Sequence, residues 1–141
     1  MNTIAVDAMG GDSAPGEIVK GAIKAKNLGI DVILCGDENL INPFLEDSKI
    51  PVLHYPEVIS MDDDPARAIR SKKNSSIVGA MQLVKENKAS AVFSAGSTGA
   101  SLVAVNNICE FQGIIAAITP IGILVVIACM SGLSMGKTVP S

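Results

Sequence analysis

The chain has 141 residues, enough for one domain with a real core, and hydrophobic residues make up 48% of it against 3% aromatic. That composition suits an α/β domain packed with Val, Ile, Leu and Ala, and a net charge of −3 offers no electrostatic footprint for nucleic acid. Charge is also unevenly spread: after Lys88 the only acidic or basic side chains are Glu110 and Lys137, so that part of the chain belongs in a core or a membrane.

Thr3, Ile4, Ala5 and Val6 are rich in β-formers and predict a buried first strand. Asp7-Ala8-Met9-Gly10-Gly11-Asp12 follows as a turn. Consecutive glycines let the backbone turn sharply and come close to another group. Asp7 and Asp12, one on either side, place carboxylates at the strand's C-terminal edge, where open α/β sheets bind ligands. The same residues also fit a purely structural turn whose acids serve as caps. Pro15 suits the first turn of a helix. Over residues 17–28, Ile18, Ala22 and Ala25 share one helical face, the lysines at 20, 24 and 26 face water, and Gly29 ends the helix. Residues 31–35 read as a second buried strand, and Gly36-Asp37-Glu38 begins a short helix that Asn42-Pro43 breaks. Residues 50–55 read as a third strand with proline near its start. This β-α-β-α-β order with short connections predicts a mostly parallel sheet covered by helices.

Residues 56–73 are polar and punctuated by Pro56 and Pro65. Asp64-Pro65 can cap and start a short helix, and Ser75 or Ser76 can cap a longer one through Glu86. Ala91-Val92-Phe93-Ser94 predicts a fourth strand, and residues 98–108 a small-residue helix.

Three groups could carry chemistry. Gly96, Ser97, Thr98 and Gly99 repeat the logic of the first turn: a strand ends, glycine allows close approach, and a helix begins. Backbone N–H groups there, with the Ser97 and Thr98 hydroxyls, can form an anion site, or the group can be an ordinary capped helix. Arg67, Arg70, Lys72 and Lys73 are the densest basic cluster and stand beside the hydroxyls of Ser75 and Ser76. They fit a phosphate or a carrier protein's phosphopantetheine arm, and equally a solvated helix face. Asp62, Asp63 and Asp64 read as capping residues, since a divalent ion needs more oxygen ligands than this run offers; no metal site is expected.

Other features point away from chemistry. His54, the one histidine, reads as a structural residue at a strand end, because no G-x-S-x-G elbow accompanies it. Cys35, Cys109 and Cys129 make no C-x-x-C pair and read as buried thiols in a reducing cytosol. No signal-peptide pattern opens the chain. Residues 131–138, S-G-L-S-M-G-K-T, nearly match a P-loop, but the first glycine is displaced by one position. Residues 114–135 carry no charge and are just long enough to cross a bilayer, which takes about 20 apolar residues. Pro120, Gly122, Ser131, Gly132 and Ser134 weaken that reading; a core strand with turns is the first alternative and an out-of-frame tail the second.

The ordered set of Asp7 to Asp12, Pro15, Glu17 to Gly21, Met61-Asp62-Asp63, Lys72-Lys73 with Ser75-Ser76, and Ser94-Ala95-Gly96 with Thr98-Gly99-Ala100 resembles the bacterial phosphate acyltransferases. The likeness covers residues 1–104; that family usually has aspartate where Asn74 stands and asparagine where Ser97 stands. The resemblance implies a three-layer α/β sandwich like that of isocitrate and isopropylmalate dehydrogenases, truncated here. It implies acyl transfer from acyl-acyl carrier protein to inorganic phosphate, giving acyl-phosphate for phospholipid synthesis without a cofactor. Implied partners are acyl carrier protein, phosphate, a second copy in a homodimer, and a membrane-bound glycerol-phosphate acyltransferase. The implied setting is the cytoplasm, peripheral at the inner membrane surface. Implied phosphate or substrate contacts are Asp7, Gly10, Gly11, Asp12, Lys72, Lys73, Ser75, Ser76, Gly96, Ser97, Thr98 and Gly99, with no catalytic base assigned. Residues 1–112 would form the family's N-terminal portion and residues 113–141 a divergent apolar tail. The rival reading is a non-catalytic truncated domain, or a small protein anchored to a membrane by its apolar C-terminal segment.

Overall fold

A computed structural model describes residues 3–108, 114–118 and 124–128. Strand β1 (Thr3–Asp7) lies inside a six-stranded sheet of order β3-β2-β1-β4-β6-β5. Its neighbours β2 (Asp31–Gly36) and β4 (Ala91–Ser94) both run parallel to it, and β3 (Val52–His54) runs parallel to β2. β6 (Leu124–Ala128) pairs antiparallel with β4, and β5 (Ile114–Ile118) antiparallel with β6. The sheet is therefore mostly parallel, as the alternating strand and helix pattern predicts.

Helices cover both faces of the parallel part. On one face, α1 (Gly16–Asn27) packs Val19 and Ala22 against Val6, Val32 and Leu34. Gly29 ends α1, its N–H reaching the Lys26 carbonyl at 2.9 Å while Ile30 N–H returns to Ala25 at 3.1 Å. The short α2 (Glu38–Ile41) adds Ile41 to this layer; Asp37 caps it by accepting from Asn39 N–H. On the other face lie α3 (Pro65–Ser71), α4 (Ser76–Lys85) and α5 (Thr98–Ile108). Ile69, Ile77, Met81, Val84 and Ala104 pack there against Ala5, Cys35 and Val92. Small residues let α4 and α5 sit close: Ala80, Ala100 and Ala104 are all buried. The result is a three-layer α/β arrangement.

Two stretches differ in detail from their sequence patterns. The third strand is Val52–His54, shorter than the predicted 50–55, because Pro51 has no N–H to donate; its carbonyl still accepts from Leu34 N–H at 2.9 Å. Within residues 114–135 the chain forms two strands rather than a helix, and no helix among the described residues is long and apolar enough to cross a membrane. The runs I-I-A-A-I and L-V-V-I-A are rich in β-branched residues, which favours pairing over helix. The P-loop-like stretch 131–138, Cys109 and Cys129 lie outside the described residues.

Candidate functional site

The order β3-β2-β1-β4 means that the chain leaves β1 toward one side of the sheet and returns on the other through β4. In doubly wound sheets the crevice beyond the strand ends at such a reversal is where ligands bind. The parallel register pairs Val6 with Phe93, so Asp7 and Ser94 stand together at the C-terminal edge.

Asp7 ties that edge to the helical layer. One carboxylate oxygen, Oδ1, accepts from the Ser76 hydroxyl at 2.5 Å and from Met9 N–H at 3.2 Å. The other, Oδ2, accepts from the Ser94 hydroxyl at 2.7 Å. Ser94 Oγ in turn accepts from Gly96 N–H at 3.2 Å. Asp7, Ser76 and Ser94 are all buried. Burial pushes the Asp7 carboxyl above its ordinary value, and the hydrogen bonds from Ser76 and Ser94 offset part of that rise. Cys35, beside Asp7 on β2, is buried as well; burial, with the Asp7 charge second, pushes its thiol up to about 12, so it stays protonated and unreactive at neutral pH.

The two glycine turns meet above this carboxylate. A Cβ on Gly10 would lie 2.7 Å from Asp7 Oδ2 and 2.8 Å from Gly96 N, distances no side chain tolerates. Gly11, at φ +98°, occupies backbone space that favours glycine and lies against the Ala95 carbonyl. Ser97 opens α5: its Oγ accepts from Ala100 N–H at 3.2 Å and its carbonyl accepts from the Ser101 hydroxyl at 2.9 Å. The missing side chain of Gly99 makes room for Pro65 of α3, whose Cγ would lie 2.8 Å from an added Cβ. Beneath the turns, Asp7, Gly10, Ser76, Gly96 and Ser97 line a cavity of about 10 Å³, space for one water and no more.

The second group forms a rim. Ser75 caps α4 by accepting from Val78 N–H at 3.4 Å, and is fully buried. Lys72 donates to the Val58 carbonyl at 2.9 Å and to Asp63 Oδ2 at 3.0 Å, which fastens the 56–64 segment to the end of α3. Asp63 also accepts from Ser60 N–H at 2.9 Å; that bond, followed by the one from Lys72, holds its carboxyl below the usual range. Asp64 caps α3 by accepting from Arg67 N–H. Lys73, Arg67 and Arg70 are exposed, as is Asp12. His54 Nδ1 accepts from Glu38 N–H at 3.2 Å, so the histidine holds the start of α2. Among the described residues no cluster of three or more His, Cys, Asp or Glu is placed to hold a metal.

Asp7, Gly10, Ser76, Gly96 and Ser97 are thus brought together around one small cavity, with Gly11 packed beside it. Ser75 points into the core, Lys72 is engaged in the rim, and Lys73 and Asp12 face solvent. Sequence reasoning named Ser94 in the second turn motif but gave its hydroxyl no role, and it did not single out Ser101. A polar residue closing the apolar run Ala91-Val92-Phe93 was the available signal for Ser94.

A family model described as "Fatty acid synthesis protein" matches residues 2–139. The chain belongs to this family. It is 51% identical over 108 residues to "Phosphate acyltransferase" of Heliobacterium modesticaldum, a stretch covering 72% of this chain and 32% of that relative. It is 52% identical over 107 residues to the protein of the same name from Desulforamulus reducens, again 72% and 32%. With that of Pelotomaculum thermopropionicum it shares 53% over 106 residues, 72% of this chain and 31% of the relative. The chain spans about a third of the length of these curated relatives. The β1 and β4 edge, both glycine turns and the rim all lie within the residues that the family model matches.

Proposed function

We propose that this fatty acid synthesis family chain carries the phosphate-holding front of an acyltransferase, which moves an acyl group from acyl-acyl carrier protein to inorganic phosphate for phospholipid synthesis. A phosphate oxygen attacks the thioester carbonyl carbon, the C–S bond of the resulting oxyanion breaks, and the carrier thiolate leaves and takes a proton from solvent. The products are acyl-phosphate and free carrier. Phosphate is already a competent nucleophile, so the site's work is to hold the anion, orient it and stabilise the developing oxyanion.

One observation carries this reading: two glycine turns abut at the reversal of strand order, and the second opens the eleven-residue helix α5. Backbone N–H groups and the positive end of a helix dipole favour an anion there. The cavity beneath takes only a water, so the phosphate rests above it, on Gly10, Gly11, Gly96, Ser97, Thr98 and Gly99. In this reading Asp7, Ser75 and Ser76 hold the frame, while Asp12, Lys72 and Lys73 stand at the rim toward the carrier's phosphopantetheine. Residues 1–112 act as this front portion and 113–141 as an apolar appendage. In the longer relatives we extend the proposal to a homodimer working in the cytoplasm at the membrane surface, handing acyl-phosphate to a glycerol-phosphate acyltransferase.

The test measures heat protection by inorganic phosphate and acyl-phosphate formation on the purified chain. Expected are a phosphate-dependent rise in Tm, lost in Gly11→Val, and little or no turnover from the chain alone. Protection that persists unchanged in Gly11→Val sinks the glycine-turn site. No protection in the unaltered chain favours the rival, a non-catalytic domain. Turnover near 1 per second or faster would place the whole site within these residues.

A further inference from the structure

The Ser94 hydroxyl works in two directions at once. A serine hydroxyl has one proton to give and two lone pairs to receive with. Here the proton goes to Asp7 Oδ2 at 2.7 Å, and a lone pair accepts from Gly96 N–H at 3.2 Å. Among the described residues no other side chain joins Asp7 to the second glycine turn. The bond to the carboxylate polarises the hydroxyl, which makes its oxygen a better acceptor for Gly96. Ser94 is buried, so solvent does not compete for either bond.

The peptide joining Ala95 to Gly96 is gripped at both ends. A trans peptide sends its N–H and its C=O in opposite directions. The N–H meets Ser94, and the Ala95 oxygen lies against Gly11, 3.1 Å from where a Cβ on that residue would stand. The direction of this peptide matters for charge, because a carbonyl oxygen is partly negative and repels an anion that it faces. Glycine at 96 leaves the peptide freer to rotate than another residue would, so its direction has to be imposed from outside. We infer that Ser94 is a positioning residue of the proposed anion site: its hydroxyl, anchored on Asp7, keeps the Ala95 carbonyl packed on Gly11 instead of turned toward bound phosphate. Gly96 then offers the anion its bare Cα, and the donors are the N–H groups that follow at the start of α5. This inference rests on the phosphate reading above and deepens it.

The experiment compares Ser94→Ala, which removes the hydroxyl, with Ser94→Thr, which keeps it and suits a strand. Two quantities are read on the full chain: the inorganic phosphate concentration that gives half of the maximal heat protection, at constant ionic strength, and hydrogen exchange of the Gly96 amide by NMR. Ser94→Ala should raise the half-protecting concentration by about tenfold or more and speed exchange at Gly96, and Ser94→Thr should restore both. Val84→Ala, a buried change at the far end of α4, controls for general loss of stability. It should lower Tm and leave the half-protecting concentration where it was. If Ser94→Ala does not fold, Ser94→Cys, close in size and weak in hydrogen bonding, takes its place in the same comparison. An unchanged phosphate response at position 94, a loss that Val84→Ala matches, or exchange at Gly96 indifferent to the hydroxyl overturns the inference and leaves the anion site standing. No protection in the unaltered chain overturns the phosphate reading and this inference with it.

Discussion

Asp7 and Asp63 are both aspartates that fasten a loop to the helical layer, and the fold treats them in opposite ways. Asp7 is buried and receives two hydroxyls from separate segments, one from α4 and one from β4. Asp63 is partly exposed and receives a backbone N–H and an ammonium from its own neighbourhood. Burial raises the carboxyl of Asp7; the Ser60 N–H and Lys72 lower that of Asp63. A raised folded pKa means that the fold binds the proton more tightly than the unfolded chain does. The Asp7 contribution to stability therefore grows as pH falls through its folded pKa toward the ordinary value. The Asp63 contribution is present above the ordinary value and is lost as pH falls through its lowered pKa. The lesson is one of position: the buried tie sets the geometry of the turns, and the exposed tie only trims the rim.

The largest break in this comparison comes from Asp7→Ala. It strands two buried hydroxyl donors, from Ser76 and Ser94, each costing roughly 1–3 kcal/mol. We expect a loss of about 2–6 kcal/mol in urea unfolding, a large share of the 5–15 kcal/mol typical of a domain. Asp7→Asn sharpens the point, because it keeps an acceptor and removes the titration. Relative to Asn, the unaltered chain should gain stability on acidification from neutral pH; a constant gap between the two melting curves would show that Asp7 does not titrate in the fold.

Gly10→Ala comes next. The added methyl meets Asp7 Oδ2 at 2.7 Å and Gly96 N at 2.8 Å, and the latter is backbone. Overpacking of this kind costs about 1–3 kcal/mol. Because the methyl pushes the two turns apart, heat protection by phosphate should fall as well. Wild-type stability in this variant would mean that the turns are not held in contact in solution.

Much of this frame was legible in the sequence, for identifiable reasons. Alternating strand and helix patterns with short connections dictated the parallel sheet, and Ser75, Asp64 and Gly29 marked helix boundaries by their own chemistry. What stayed hidden was pairing across distance. Nothing local says that Asp7 reaches Ser76 and Ser94, 69 and 87 residues away, because that depends on β4 returning beside β1. For the same reason the four cations at 67, 70, 72 and 73 looked equivalent in sequence, although among the described residues only Lys72 finds an acid and a carbonyl. The apolar stretch from 114 was ambiguous because its residues suit a core strand and a bilayer equally; its pairing with β4 is what separates them.

Lys72→Ala loosens the 58–63 stretch from the end of α3 by removing two hydrogen bonds, to Val58 and Asp63, while Glu57 stays paired with Asn74 and Ser76. A partly exposed pair is screened by water, so the drop in Tm should be smaller than that of Gly10→Ala, and it should shrink further in high salt. A loss matching Asp7→Ala would overturn the distinction between hub and rim.

Lys73→Ala is the smallest effect expected, and it isolates binding from folding. Lys73 is exposed, one residue beyond a lysine that is engaged, and among the described residues no hydrogen bond or ion pair fixes its ammonium group. Surface substitutions of this kind stay within about 0.5 kcal/mol. Any consequence must therefore come through charge presented to a ligand. If the rim meets phosphate or an acidic carrier, Lys73→Ala weakens that response while Tm stays put, and the weakening fades as added salt screens the unaltered chain as well. Lys72→Ala, by contrast, moves both quantities, since the rim itself loosens. Measuring phosphate protection for the pair at low and high salt separates a cation that binds from one that braces. Equal behaviour of the two variants would mean that position along the rim does not decide their roles.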